Sequence, residues 1–346
     1  MKSKKNYLRE KIIVFGHNGL IGSAVLKELE KRKYSSIITI NKTNLDLLDS
    51  KKVINFFKRH KPKKIIIAAA RVGGIYANKT YPFNFLYENL VIQNNIIAAA
   101  IKFTCKKIIF LGSSCIYPKK WTKPFKEEDL QLTSLEKSNE PYAIAKIAGL
   151  KLCETFNKQF NKKNIFFLTL IPPNLFGEND NYNKKNSHVL AALIRKFYEA
   201  KKNNSKNIII WGTGKPKREF MLSEDAAKVI IDFLELNFKK IQKITRGEYY
   251  HINIGVNKDF SIEKIVKKLV KISNYKGKIT FDKKYPDGVK RKLLDISLFK
   301  SLLPITFRNI KYDDKSFENK LSKIYSSIDK STFKNFEKKS SYNLPF

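Results

Sequence analysis

The feature that most constrains this chain is a rhythm in its first 175 residues. Short apolar runs alternate with longer stretches whose apolar residues recur every three or four positions. The runs are "KIIVF" (11–15), "SIITIN" (36–41), "KIIIAAA" (64–70), "KIIFLGS" (107–113) and "IFFLTLIPP" (165–173). The helical stretches between them are "SAVLKELEKR" (23–32), "DSKKVINFFKRH" (49–60), 83–103 and 141–160. Strands that alternate with helices form parallel sheets joined by crossovers. Near-continuous apolar strands are those buried on both faces. The fold class is therefore α/β, a doubly wound parallel sheet with a smaller C-terminal lobe.

Beyond residue 175 the rhythm loosens. "SHVLAALIRKFYEAKK" reads as a helix, "NIIIWG" as a strand, and "SEDAAKVIIDFLEL" as a helix opened by a Ser223 cap. "YYHINIG" is a strand, "SIEKIVKKLVKI" a helix capped by Ser261, and "FENKLSKIYSSI" (317–328) a last amphipathic helix. The lysine-rich stretch 236–249 reads as a surface loop. The expected division is a nucleotide-binding domain over 1–174, also receiving about 215–256. A substrate-binding lobe covers 175–214 and 257–330, and 331–346 is a flexible tail.

The 346 residues are 42% hydrophobic, enough for a sizeable core. The N-terminal apolar run, Ile12 to Phe15, is too short for a signal peptide. No run approaches the ~18 apolar residues of a membrane helix. Cys105, Cys115 and Cys153 have no metal-ligand spacing, so reduced thiols, a cytoplasmic setting and no metal are expected. The net charge of +38 invites a nucleic-acid reading. The lysines are scattered along the chain rather than gathered, as an AT-rich genome would scatter them, and no nucleic-acid motif accompanies them. We expect no nucleic-acid or membrane partner, but faster capture of an anionic substrate.

"VFGHNGLIG" places Gly16, Gly19 and Gly22 between the first strand and first helix. Glycines there permit a tight turn and close backbone approach to a pyrophosphate, which then faces the helix N-terminus. A structural turn could look similar, but the position at the head of the first strand–helix–strand unit favours a Rossmann-type dinucleotide site. An acid ending the second strand would hold the ribose hydroxyl of NAD. That strand has no acid before Asp46, and Lys42 stands where a 2′-phosphate could lie. NADP(H) is the expected cofactor.

"EPYAIAKIAG" puts Tyr142 and Lys146 four apart on one helix face. The ammonium is expected to lower the phenol's pKa, and the phenol to exchange a proton with a substrate oxygen. Ser113, at a strand tip some thirty residues earlier, can donate to the same oxygen. Alone, Y-x-x-x-K is an ordinary helix surface; downstream of a glycine loop and a strand-tip serine it reads as catalytic.

These residues, with "LGSSCIYP", "AAARVGGIYANKTYP", "PPNLFGENDNY", "NSHV", "WGTGKPKREF" and "PDGVKRKLLD", resemble the extended short-chain dehydrogenase/reductase superfamily. Within it they are most similar to the GDP-4-keto-6-deoxy-D-mannose 3,5-epimerase/4-reductases, over about residues 11–296. The resemblance implies that Cys115 is the epimerase base and His188 its acid, with Ser113, Tyr142 and Lys146 serving both half-reactions. In isolation Cys115 would pass for a small buried hydrophobe and His188 for a helix-cap neighbour.

The resemblance also implies cofactor contacts from His17, Asn18, Leu20 and Ile21 of the glycine loop, and from Asp46. Leu111, Gly112 and Ser114 join them at the fourth strand, with His188 and the run Pro172, Pro173, Asn174 and Leu175. Lys196, Trp211, Arg218 and Asp287 are implied for the GDP-sugar. Arg218 suits a diphosphate, because guanidinium binds phosphate through two donors. Asn18 and Lys42 stand where relatives often carry arginines, and Lys196 where they carry a basic nucleotide contact. Other readings are another nucleotide-sugar epimerase, a 4,6-dehydratase and a non-catalytic NADP-binding protein. "SSCIY" lacks the acid pair a dehydratase would place there, and Ser, Tyr and Lys are all present. The helices at 83–103 and 141–160 resemble those that pair into a homodimer in this superfamily.

Overall fold

The computed structural model describes residues 8–120, 123–160, 165–184, 186–285, 287–329 and 331–333. The first strand, β1 (Ile12–Phe15), is wholly buried. Its side chains alternate between two cores, with Ile12 and Val14 in one and Ile13 and Phe15 in the other. It leads into α1 (Leu20–Lys31), β2 (Ile37–Thr39), α2 (Ser50–His60) and β3 (Lys64–Ile67). The short α3 (Ile75–Thr80) and long α4 (Pro82–Lys102) follow, then β4 (Lys107–Leu111), α5 (Glu140–Phe160) and β5 (Phe166–Ile171). The sheet runs β2-β1-β3-β4-β5 and is closed at its edge by β9 (His251–Asn253), all parallel. The chain leaves β1 towards β2 and returns to β3 on the other side. That reversal opens a crevice at the strands' C-terminal ends.

The smaller lobe builds its own sheets. β6 (Asn174–Phe176) and β12 (Arg291–Lys292) lie parallel to β8 (Lys217–Leu222), and β10 (Asp259–Ser261) pairs with it antiparallel. β7 (Asn207–Trp211) and β11 (Lys278–Asp282) form a separate parallel pair. Within 215–256, β8 thus joins the lobe's sheet, whereas α7 (Ser223–Glu235) packs on α1 and β9 completes the main sheet. One core is continuous from β1 through α7 into the lobe, ending on Phe260 and Phe317.

Two local expectations are corrected, and a third falls mostly beyond the described residues. Ser223 is the first helical residue of α7; Leu222 holds the cap position, and no side chain caps it. The stretch 236–249 contains a helix, α8 (Phe238–Thr245), because Phe238 stacks on Phe166 at 4.2 Å and Ile241 is buried. Tertiary contact there overrides a lysine-rich composition. The expected tail lies outside the described residues except for 331–333, where Phe333 is buried edge-on against Tyr182 and Tyr198. The Ser261 cap is present, its hydroxyl accepting from the Lys264 amide at 3.1 Å. Among the described residues no helix is long and apolar enough to cross a membrane.

The ring of Phe57 fills the core between Phe15 and Phe103, with centroids 6.0 and 6.4 Å away. Phe57→Ala should lower the free energy of urea unfolding by about 3–5 kcal/mol. Ile305→Ala, at a 69% exposed side chain, should change it by less than about 0.5 kcal/mol.

Candidate active site

The crevice is floored by the glycine loop. Gly16 has φ +84°, and a Cβ there would lie 2.6 Å from the Ala69 amide nitrogen. A Cβ on Gly22 would lie 2.0 Å from the Gly16 carbonyl oxygen. Backbone therefore packs on backbone, and only glycine fits. Gly19 caps α1 without a side-chain bond, which leaves the first-turn N–H groups to a ligand. This cradle fits a dinucleotide pyrophosphate. At the far end of the crevice the Asn18 amide donates to Asn41 at 2.7 Å, beside the exposed Lys42. These three polar groups mark the corner that a 2′-phosphate would take. The Asp46 carboxylate turns back on its own loop and accepts from the Leu48 amide.

The loop after β3 is clamped to α4. Asn89 exchanges two hydrogen bonds with the Arg71 backbone, and the Arg71 guanidinium pairs with the buried Glu88. Its glycines then meet the segment carrying His188. The Gly74 amide donates to the Asn186 carbonyl, and a Cβ on Gly74 would lie 2.4 Å from the Ser187 carbonyl oxygen. His188 itself caps α6 (Val189–Lys202) through its backbone. His188 is exposed at its surface, yet desolvation by the surrounding protein disfavours the imidazolium and lowers its pKa.

Beyond β4 the chain enters a 3₁₀ turn, Ser114–Ile116, with Ser113 at its cap accepting from the Cys115 amide at 3.4 Å. Gly112 permits this: a Cβ there would lie 2.3 Å from the Ile171 side chain. Lys146 is buried, donates to the Leu111 carbonyl at 2.9 Å and lies over the Phe110 and Tyr142 rings. Burial pushes its pKa down to about 8, partly offset by the Cys115 charge. Tyr142 differs from the expectation. Its pKa is raised, chiefly by burial and then by the thiol, while Ser113 works the other way. Lys146 spends its hydrogen bond on the Leu111 carbonyl, so desolvation wins and the phenol stays protonated.

Burial also pushes the Cys115 thiol up; Lys292, Ser113 and Lys146 pull it back. Lys292, on β12, is a charge beside the thiol that sequence reasoning passed over. It lay inside the quoted "PDGVKRKLLD", but nothing local marks one lysine of a lysine-rich chain as half-buried beside a thiol. Its own pKa is lowered by burial. Two residues beyond the thiol, the Tyr117 hydroxyl donates to Asn253 at 2.7 Å, and its ring stacks on Phe125 at 5.0 Å. The Asn253 side chain in turn donates to the Phe125 carbonyl. This buried joint fixes the thiol-bearing turn to β9.

The residues proposed for the sugar nucleotide come from both lobe sheets. The Lys196 ammonium lies 5.2 Å over the Trp211 ring. The Arg218 guanidinium donates to the Lys217 and Val289 carbonyls, and burial lowers its pKa to about 10. Asp287 accepts from the Thr213 amide and hydroxyl at 2.8 and 2.6 Å, so its carboxylate braces the loop after Trp211. Asn174 donates to the Glu219 carbonyl, and Pro172, Pro173 and Leu175 line the same exit from β5. The neighbouring Arg195 is buried and pairs with Glu199; Lys196 is the member of that pair that faces Trp211. Among the described residues no group of three or more metal-ligating side chains gathers.

Residues 12–255 match the pattern of the NAD dependent epimerase/dehydratase family. The chain is 42% identical over 289 residues to GDP-L-fucose synthase of Escherichia coli (strain K12), covering 84% of this chain and 89% of that protein. Its fold is similar to that of a GDP-6-OMe-4-keto-L-xylo-heptose reductase from C. jejuni, with a TM-score of 0.82 and 32% identity. That match covers 92% of this chain and 97% of the other. A GDP-mannoheptose C4 reductase from Campylobacter jejuni with NADP bound gives a TM-score of 0.79 and 32% identity, covering 92% and 98%.

Iodoacetamide alkylation of Cys115, followed by peptide mass spectrometry, should be slow at neutral pH and rise above the usual thiol range. Lys292→Met should move that rise to higher pH; an unmoved curve would remove Lys292 from the thiol's surroundings. Cys105 and Cys153, pushed up to about 12 by burial, should lag behind.

Proposed function

The chain belongs to the NAD dependent epimerase/dehydratase family, and we propose that within it the chain converts GDP-4-keto-6-deoxy-D-mannose to GDP-L-fucose by 3,5-epimerisation and 4-reduction. The observation that carries this reading is a thiol, Cys115, set between cations beside the Ser113–Tyr142–Lys146 group. A reductase alone has no use for it. The 4-ketone acidifies the protons on C3 and C5, because each carbanion is an enolate with its charge on the ketone oxygen. Ser113 and Tyr142 donate to that oxygen, and the Lys146 charge lies close behind. The thiolate form of Cys115, held by Lys146 and Lys292, removes the proton. His188 returns one to the opposite face, and its lowered pKa makes its imidazolium a ready donor.

NADPH, when bound, supplies the hydride that goes to C4. The glycine loop, Asn18 and Lys42 hold and orient it, and Tyr142, kept protonated by burial, gives the new hydroxyl its proton. Arg218 takes the diphosphate. The solved relatives act on GDP-heptoses, so a second reading is reduction of another GDP-4-keto sugar. That reading does not call on Cys115.

We also propose a homodimer. α4 and α5 pack side by side, joined by the Gln93 amide on the Ala145 carbonyl at 2.7 Å. Phe83 and Ile101 on α4, with Ile144, Leu152 and Phe160 on α5, are large apolar side chains left exposed. A second copy would cover them. A free catalytic thiol also suits a reducing cytoplasmic setting. Light scattering should give twice the chain mass at micromolar concentration; a monomer overturns the dimer.

Without NADPH, the enzyme in D2O should wash deuterium into C3 and C5 of the 4-keto substrate. Cys115→Ala should abolish most exchange while NADPH binding persists. Tyr142→Phe should keep some exchange and lose on the order of 10²–10⁴ in reduction. Exchange at the wild-type rate in Cys115→Ala would reduce the thiol to packing and leave the second reading.

A further inference from the structure

Trp211 and Tyr285 are two large rings left 59% and 43% exposed. They lie flat on each other, with centroids 4.4 Å apart and planes within 10°. The pair is set by the lobe's architecture. Trp211 ends β7, Tyr285 lies just past β11, and those strands pair in parallel with Trp211 opposite Asp282. Rings this exposed have not been buried by folding; they have covered one face of each other and kept the rest in water.

Three constraints bear on what the rings are for. The Lys196 ammonium also lies over Trp211, and its other anchor is the Ile209 carbonyl at 2.8 Å. The flat tyrosine ring at 4.4 Å marks a face of the indole that accepts a stacked ring, and a flat ligand can enter on that side. Tyr285 can give way, because it follows the end of β11 while Trp211 belongs to a strand. The tether is short: two residues on, the Asp287 carboxylate is bound to Thr213. One residue further, a Cβ on Gly288 would lie 3.0 Å from the Arg218 guanidinium. That guanidinium has no carboxylate ion pair among the described residues. A positive seat for a diphosphate therefore adjoins the stacked rings along one short run of chain.

We propose that Tyr285 is the second jaw of an aromatic clamp, with Trp211 the first, that closes on the purine base of the nucleotide-sugar. The proposal rests on the GDP-sugar reading above and adds to it a residue that contacts the base. Every nucleobase has a π-face, and stacking on an aromatic side chain is a strong, geometry-tolerant source of affinity. A purine, with two fused rings, overlaps both jaws better than a pyrimidine.

The test is calorimetric titration of the full chain with GDP and, separately, with inorganic pyrophosphate. Tyr285→Ala should weaken GDP binding by roughly tenfold, the scale of one lost stacking contact. Tyr285→Phe, which keeps the ring, should stay within about twofold of wild type. Pyrophosphate, which has no base, should bind all three proteins alike. The thermal midpoint should not move, since the ring is exposed. Tyr285→Ala that binds GDP as tightly as wild type, or tighter, overturns the clamp while leaving the GDP-sugar reading in place. Wild type that binds pyrophosphate but not GDP overturns the GDP-sugar reading itself, and the clamp with it.

Discussion

The site depends on one buried carboxylate. Glu219, at the centre of β8, has no exposed surface. It accepts from the Val256 and Asn257 amides at 2.6 and 2.9 Å and from the Leu294 amide at 3.0 Å. Burial raises its pKa to about 7, and the three N–H donors restrain that rise. Its own carbonyl receives the Asn174 side chain. The chain segments that meet at Glu219 are thus the exit from β5, the exit from β9 and the strand that carries Lys292. A buried N–H left unpaired costs about 1–3 kcal/mol, so losing this side chain would release several segments at once. The thiol's electrostatic surroundings come with them, because Lys292 is two residues from Leu294.

Charge has two different meanings in this molecule. The net +38 is spread over a solvated surface, where salt screens it within about 8–10 Å. The charges around the candidate site are few and withdrawn from water, Lys146 fully and Lys292 and Arg218 in part. Lys146, Lys292 and Arg218 all have lowered pKa values, chiefly through desolvation. Cations that are costly to keep charged are stabilised by a nearby anion. This turns a lysine-rich composition with little functional meaning into a site with a defined preference for anions.

The same desolvation acts on both the phenol and the thiol. Both are pushed towards their neutral forms by burial, but cations counter this only at Cys115. Tyr142 is therefore held in its protonated form, while the cations partly favour the thiolate of Cys115. Two neighbouring groups are biased differently by unequal access to the same ammonium groups.

The sequence by itself determined the main sheet, the glycine cradle and the Ser113–Tyr142–Lys146 and Cys115 positions. The sheet, the cradle and the Tyr142–Lys146 pair are written in local periodicity or short spacing, and Ser113 and Cys115 in the motif resemblance; such local signals survive without knowledge of the fold. What escaped it depends on contacts between distant segments. The helix at Phe238–Thr245 exists because Phe238 meets Phe166, and β8 joins the lobe because β10 and β12 flank it. The raised pKa of Tyr142, the approach of Lys292 to Cys115 and the stacking of Tyr285 on Trp211 were likewise decided by tertiary structure. Burial and long-range pairing set the energy of a charge or a ring. Neither can be read from a residue's neighbours in the chain.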